Sequence, residues 1–251
     1  MYEHLLVLQP EERIWKITLN RPRQLNALSK QTIDELHGAL DEFVKSDSSV
    51  LLLAGSGRAF CFGADFTEFE DRTRLPALLE NFQSLILKLY DCPKITVACL
   101  NGFATGAGLD LALACDFRIA AEKVKLGEAY VSMGLVSDGG GSYFLTHLLG
   151  TARAMEMMLL GEPIMAADAQ ALGIVHRICT AEELDSKALE FAEKLAAKPQ
   201  TALRCLKLLI RDNSAGDLKT ALRREAEAQR SCFEDPTHLS IVQEFLNRKK
   251  Q

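Results

Sequence analysis

NGFATGAGLDLALACDFRIAAEKVKLGEAYVSMGLVSDGGGS, residues 101–142, sets two clusters of glycine on either side of an apolar run. Gly102, Gly106 and Gly108 fall close together, an apolar helix-like run follows from Leu109 to Ala114, and Gly139, Gly140 and Gly141 come directly after Asp138. Glycine frees φ and removes the side chain that keeps backbone away from a ligand. A glycine-rich turn running into a helix therefore presents unpaired N–H groups at the helix start. Such a turn suits an anion or a developing oxyanion. A tight turn with close helix packing is the other reading. Neither the G-x-G-x-x-G of dinucleotide sites nor the G-x-x-x-x-G-K-[ST] of triphosphate sites occurs.

Around this stretch the 251-residue chain is of ordinary globular composition, long enough for a sizeable core. Its 29 basic residues are spread among 34 acidic ones for a net charge of −5, which gives nucleic acid no footprint. No apolar run is long enough to span a bilayer, and MYEHLLVLQPEER lacks the basic start and apolar core of a signal peptide, so a cytoplasmic protein is expected. The seven cysteines never form C-x-x-C and mostly sit in apolar strings, as reduced thiols do. No histidine pair has ligand spacing, and no metal is expected.

Taken in order, Leu5–Leu8 and Ile14–Leu19 read as strands of a hairpin joined by the polar turn Gln9–Glu12, and Pro22 breaks the pattern. Ser29 can cap a helix with Ile33, Leu36, Leu40 and Phe43 at helical spacing. The nearly all-apolar strand Val50–Ala54 implies buried parallel pairing. A helix carrying Leu78 to Leu89, the strand Lys94–Leu100, the Leu109–Ala114 run and short strands at Asp116–Ala120 and Val124–Leu126 continue the alternation. This is α/β architecture with crossover connections. Beyond Gly150 helical periodicity dominates, interrupted by a strand at Ile174–Ile178, by Pro199 and by the turn Asn213–Gly216. A core over 1–190 and a helical region over 191–251 follow.

Four patches, NRPRQLNAL (20–28), AFCFGADF (59–66), NGFATGAGLDLALACDFRIA (101–120) and GLVSDGGGSYFL (134–145), resemble in order and spacing the crotonase superfamily of enoyl-CoA hydratases and isomerases. The resemblance covers nearly the whole chain, since RAMEMMLLGEPIMAADAQALGIVHRI is similar too. It implies an α/β spiral core of repeated β-β-α units with a helical C-terminal trimerisation region, an acyl-CoA thioester as substrate, and a homotrimer or hexamer. No cofactor is implied, since CoA is part of the substrate, and neither a membrane nor a nucleic-acid partner. It also implies an oxyanion hole formed by the backbone N–H groups of Ala64 and Ala107, each preorganised donor contributing roughly 10²–10³ in rate. Arg23, Phe62, Ala64, Asp65, Ala107 and Tyr130 fall at substrate- or CoA-binding places. Arg23 reads equally as a surface arginine. The acyl pocket would take its walls from Arg72–Leu89 and the C-terminal helices.

Hydratases of the family carry two glutamates that position and split water. Here those places hold Asp110, shorter by a methylene, and Tyr130, whose ordinary pKa near 10 bars it from serving as a carboxylate base at neutral pH. Glu128 is expected to point elsewhere. Asp138, in SDGGG, matches the aspartate of the family's dienoyl-CoA and ring-opening epoxyphenylacetyl-CoA isomerases, with Ser137 where those often have proline. From the residues alone Asp138 reads also as a turn aspartate bonding its own glycine loop, and Asp110 as a first-turn acid favoured by the helix dipole. The expectation is an isomerase with Asp138, and secondarily Asp110, as catalytic acids. A hydratase, a dehalogenase- or hydrolase-like enzyme on an aryl-CoA, and a non-catalytic acyl-CoA binding protein are the alternatives.

Overall fold

The expected N-terminal hairpin is present: β1 (Leu5–Glu11) pairs antiparallel with β2 (Ile14–Leu19). The connection is tighter than expected, because β1 runs on through Pro10 to Glu11. The register shifts between Leu8 and Glu11, where proline supplies no N–H to the ladder. The computed structural model describes residues 2–213 and 217–248; most of the expected Asn213–Gly216 turn lies outside them. The chain divides into two compact units, Met1–Glu193 and Lys194–Gln251.

In the first unit, α1 (Lys30–Lys45) starts at Ser29, whose hydroxyl accepts from Thr32 N–H, and it buries Ile33, Leu36, Leu40 and Phe43 on one face. Then follow β3 (Val50–Gly55), β4 (Ala59–Cys61), α2 (Leu75–Tyr90), β5 (Ile95–Leu100), β6 (Phe103–Thr105), α3 (Ala107–Ala114), β7 (Phe117–Ala121), β8 (Lys125–Gly127) and α4 (Gly141–Leu149). After these come α5 (Thr151–Leu160), β9 (Ile164–Met165), α6 (Ala166–Ala171), β10 (Arg177–Cys179) and α7 (Leu184–Ala196), whose last three residues belong to the second unit.

From β3 to α4 the order is strand, strand, helix, repeated. The first strand of each pair joins a six-stranded sheet ordered β1-β2-β3-β5-β7-β10, and the second joins a four-stranded sheet ordered β4-β6-β8-β9. All pairings from β2 to β10 in the larger sheet are parallel. β5 is buried along its whole length, as a central parallel strand between layers must be.

α3 is buried at every residue. It can approach β4 because residue 108 is glycine: a Cβ there would overlap the carbonyl of Cys61. Arg118 closes the other end. Its guanidinium is buried, with NH1 donating to the carbonyls of Ala112 and Cys115 at 3.2 and 2.9 Å, and Nε to Ile174 O. A cation there adds a donor at the helix end, where the Ala112 carbonyl otherwise has the Cys115 N–H, and meets the negative end of the helix dipole.

The strand expected at Ile174–Ile178 starts later, at Arg177. Ile174 and Val175 turn back so that both N–H groups donate to Ala169 O, which leaves the Ile174 carbonyl for Arg118. The strand expected from Asp116 begins at Phe117, because the Asp116 carboxylate is taken by Thr96 N–H and Oγ1. β4 and β6 are three residues each and carry no periodicity a sequence can display.

The second unit holds α8 (Gln200–Asp212), α9 (Leu218–Glu234) and α10 (Pro236–Arg248). Leu218, Leu222, Phe233, Leu239, Ile241, Val242 and Phe245 on α9 and α10 are exposed.

Candidate active site

NRPRQLNAL builds the first wall of the site. Asn26 is buried, and its amide donates to Ser56 O and Ala59 O at 2.9 and 2.8 Å, tying the loop to the start of β4. Leu28 then pairs with the segment beyond β4: its N–H donates to Gly63 O at 2.8 Å, and its carbonyl accepts from Asp65 N–H at 3.0 Å. Between those two bonds lies Ala64, whose own N–H has no acceptor among the described residues. The next parallel strand of that sheet, β6, delivers the chain to Ala107 at the first position of α3, where a helix leaves N–H groups unpaired. The two segments meet at Gly63, where a Cβ would stand 3.2 Å from Thr105 O and 4.0 Å from Ala107 N. Two free N–H groups thus come from adjacent strand ends.

Ala64 and Ala107 both border a cavity of about 430 Å³ whose walls are largely apolar, among them Leu28, Phe69, Leu79, Phe82 and Leu135. Arg72 and Asp138 are the charged residues along it. The stretch Arg72–Phe82 therefore supplies much of the wall, as expected.

Behind Asp138 lies a cluster of acids. The Tyr130 hydroxyl, on the 3-10 turn Ala129–Met133, is 2.6 Å from Asp110 Oδ2 and 2.9 Å from Asp138 Oδ1. Asp110 is fully buried in the first turn of α3, and its Oδ2 also accepts from Gly139 N–H at 3.2 Å. The glycine loop bonds Asp110 rather than wrapping Asp138. Asp138 is instead held by Tyr130.

Glu128 corrects another expectation. Its carboxyl is 1 % exposed and does not point away. Glu128 Oε1 and Asp110 Oδ1 lie over the Cα of Gly141, where a Cβ would overlap the aspartate oxygen and come 2.8 Å from the glutamate. Asp110 Oδ1 and both Glu128 carboxyl oxygens are buried with no hydrogen-bond donor from another group among the described residues, which leaves each carboxyl the other as its polar neighbour. Two carboxyls buried side by side disfavour ionisation of both, so one of them tends to keep its proton. A trace of this was present in the sequence: Glu128 and Tyr130 are two apart just beyond an apolar strand.

Burial, and then the Asp110 charge, push Glu128 up to about 10, so it is the neutral member of the pair at pH 7. Burial also raises Asp110, against the bonds from Tyr130 and Gly139. Asp138, half-buried, is raised by burial as well. A carboxyl lifted toward neutrality beside a cavity suits proton transfer.

The remaining expected residues lie apart from the cavity lining. Asp65 is engaged elsewhere, with Oδ2 2.8 Å from Arg21 NH1 and Oδ1 accepting from Thr67 N–H and Oγ1. Phe62 is exposed and stacks edge-on with Phe103 at 5.9 Å. Arg23 is exposed on the 3-10 turn Pro22–Gln24.

Comparison with known proteins gives one answer at every level. The sequence profile of the enoyl-CoA hydratase/isomerase family matches residues 9–251. A probable enoyl-CoA hydratase of Rhizobium meliloti is 35% identical, covering 99% of this chain and 97% of the relative. A short-chain-enoyl-CoA hydratase of Clostridium acetobutylicum is 31% identical over 98% of this chain and 95% of its own length. The crystal structure of an enoyl-CoA hydratase from Bacillus anthracis superposes with a TM-score of 0.94 at 32% identity, covering 98% of this chain and 97% of that one. With its repeated strand-strand-helix core and this similarity along its whole length, the chain belongs to the enoyl-CoA hydratase/isomerase family, with the crotonase fold.

Proposed function

We propose that the protein is an acyl-CoA isomerase that shifts a double bond in an enoyl-CoA or ring-derived thioester. The observation that carries this reading is that, of the three clustered acids, only Asp138 borders the cavity that Ala64 and Ala107 also line, while Asp110 and Glu128 are sealed behind it. One accessible base is what a double-bond shift needs. Asp138 takes an α-proton, the C–H electron pair moves into an enolate, and the negative charge on the thioester oxygen is met by the Ala64 and Ala107 N–H groups. Asp138 then returns the proton at another carbon and is ionised again. The bond broken and the bond formed are both C–H, and no water is consumed.

A second reading, hydration of a 2-enoyl-CoA, is favoured by the names of the relatives, which are called hydratases. Hydration adds water across the double bond and is served by two carboxyl groups, whereas here Tyr130 stands at the second place. Assay of the purified protein against 3-enoyl-, 2-enoyl- and aryl-CoA thioesters separates the readings. Faster isomerisation of a 3-enoyl-CoA than hydration of crotonyl-CoA supports the first, and the reverse order overturns it. Turnover confined to aryl-CoA thioesters points to dehalogenase- or hydrolase-like chemistry, and a silent panel with retained thioester binding points to a binding protein.

The exposed apolar residues of α9 and α10 support a further part of the proposal, that residues 191–251 form the contact of a homotrimer or of a dimer of trimers.

A further inference from the structure

Tyr130 has one hydroxyl hydrogen and two carboxyl oxygens within hydrogen-bonding distance. If it donates to one, the other contact is repulsive unless that carboxyl brings a proton of its own. The surroundings of Asp110 decide between them. Its Oδ2 is the shorter contact and already accepts from Gly139 N–H, with Ser137 Oγ 3.5 Å away. Its Oδ1 faces a Glu128 carboxyl with no other partner among the described residues. Among the described residues, Asp110 is the carboxyl that the proton of a glutamic acid in that place meets.

We infer that Glu128 is a positioning residue: by donating its proton to Asp110 Oδ1 it keeps Asp110 the end acceptor, so that Tyr130 turns its hydrogen to Asp110 and withholds it from Asp138, which makes ionised Asp138 the stronger base. The inference rests on the reading of Asp138 as the acid/base of the proposed isomerase. A residue three contacts behind the cavity-lining Asp138 then sets how strong that base is, because an acid that holds its proton more firmly leaves a stronger conjugate base. The other groups facing Asp138 do not replace this control. Gln83, on α2, donates to the Asp138 main-chain carbonyl at 3.1 Å, and Arg72 borders the same cavity as a permanent cation.

The test reads Asp138 itself in the substrate-free protein, by carbon-13 NMR titration of carboxyl-labelled aspartate assigned with Asp138→Asn. Glu128→Leu removes the donor, so Asp110 takes up a proton, Tyr130 turns toward Asp138, and the Asp138 midpoint falls by about one pH unit. Glu128→Gln keeps an N–H donor toward Asp110 and leaves the midpoint near the wild-type value. In a Tyr130→Phe background Glu128→Leu loses its effect. An Asp138 midpoint unchanged in folded Glu128→Leu overturns the inference. Should that variant fail to fold, neutron diffraction from wild-type crystals decides, with a deuteron between Tyr130 and Asp110 expected and one between Tyr130 and an ionised Asp138 fatal. Since neither measurement uses substrate, failure here is distinct from failure of the isomerase reading, which shows as undiminished turnover in Asp138→Asn.

Discussion

Tyr130 and Asp138 touch at 2.9 Å, oxygen to oxygen, so that a phenol behind the cavity meets the acid that, of the clustered acids, borders it. Tyr130 is part of a proton-bearing chain from Glu128 through Asp110 to the cavity wall.

If Asp138 is the acid/base, Asp138→Asn keeps size and most hydrogen bonding but cannot accept a proton. Isomerisation is expected to fall by about 10²–10⁴ with thioester affinity little changed, as steady-state rates and calorimetry would report. Asp110→Asn, at a carboxyl sealed from the cavity, is expected to cost much less. Near-wild-type turnover of Asp138→Asn on every substrate shifts the role to Asp110.

Stability carries a pH signature of the buried acids. A carboxyl whose folded pKa is raised binds its proton more tightly in the folded state, so its contribution is full below the unfolded pKa and is lost as pH rises through the folded one. For Glu128 that window runs from about 4.5 to about 10. His176, held neutral by burial down to about 4, acts in the opposite sense only below its ordinary 6.5, and the buried thiols of Cys61 and Cys99 enter above 9. Between pH 7 and 9, urea unfolding should show stability declining with pH, and Glu128→Gln should flatten that decline. An unchanged slope would mean that Glu128 is ionised in the fold.

Arg118 predicts a structural cost. Replacing it with Met leaves the carbonyls of Cys115 and Ile174 without their buried donor, while Ala112 O keeps the Cys115 N–H. A loss of about 3 kcal/mol is expected in denaturant unfolding, from about 1–3 kcal/mol per buried polar group left unpaired. A loss under about 1 kcal/mol would show that water or the chain replaces the donor.

For the proposed assembly, light scattering at tens of micromolar is expected to give the mass of a trimer or a multiple of it. Leu239→Asp with Val242→Asp, which charges the exposed face of α10, should lower that mass. A wild-type monomer would remove the proposal.

Much of the fold was legible because its signals are local. The apolar runs of β3 and β5, the cap at Ser29 and the helical spacing of Ile33 to Phe43 act over a few residues, and each appears where read. The three-residue strands β4 and β6 and the turn at Ile174 were not legible, because partners distant in sequence create them. At the candidate site Asp110, Tyr130 and Asp138 were named through the family resemblance of their motifs, with aspartate and tyrosine at the two glutamate places. Only the tertiary structure decides that these three touch, that Glu128 turns inward behind them, and that Asp65 is bound by Arg21. The reason is physical. Residue type sets what a side chain can donate, accept or ionise, but burial and distances of 2.6 to 2.9 Å set where the protons reside, and those arise when chain segments up to 31 residues apart are packed over one glycine at 141.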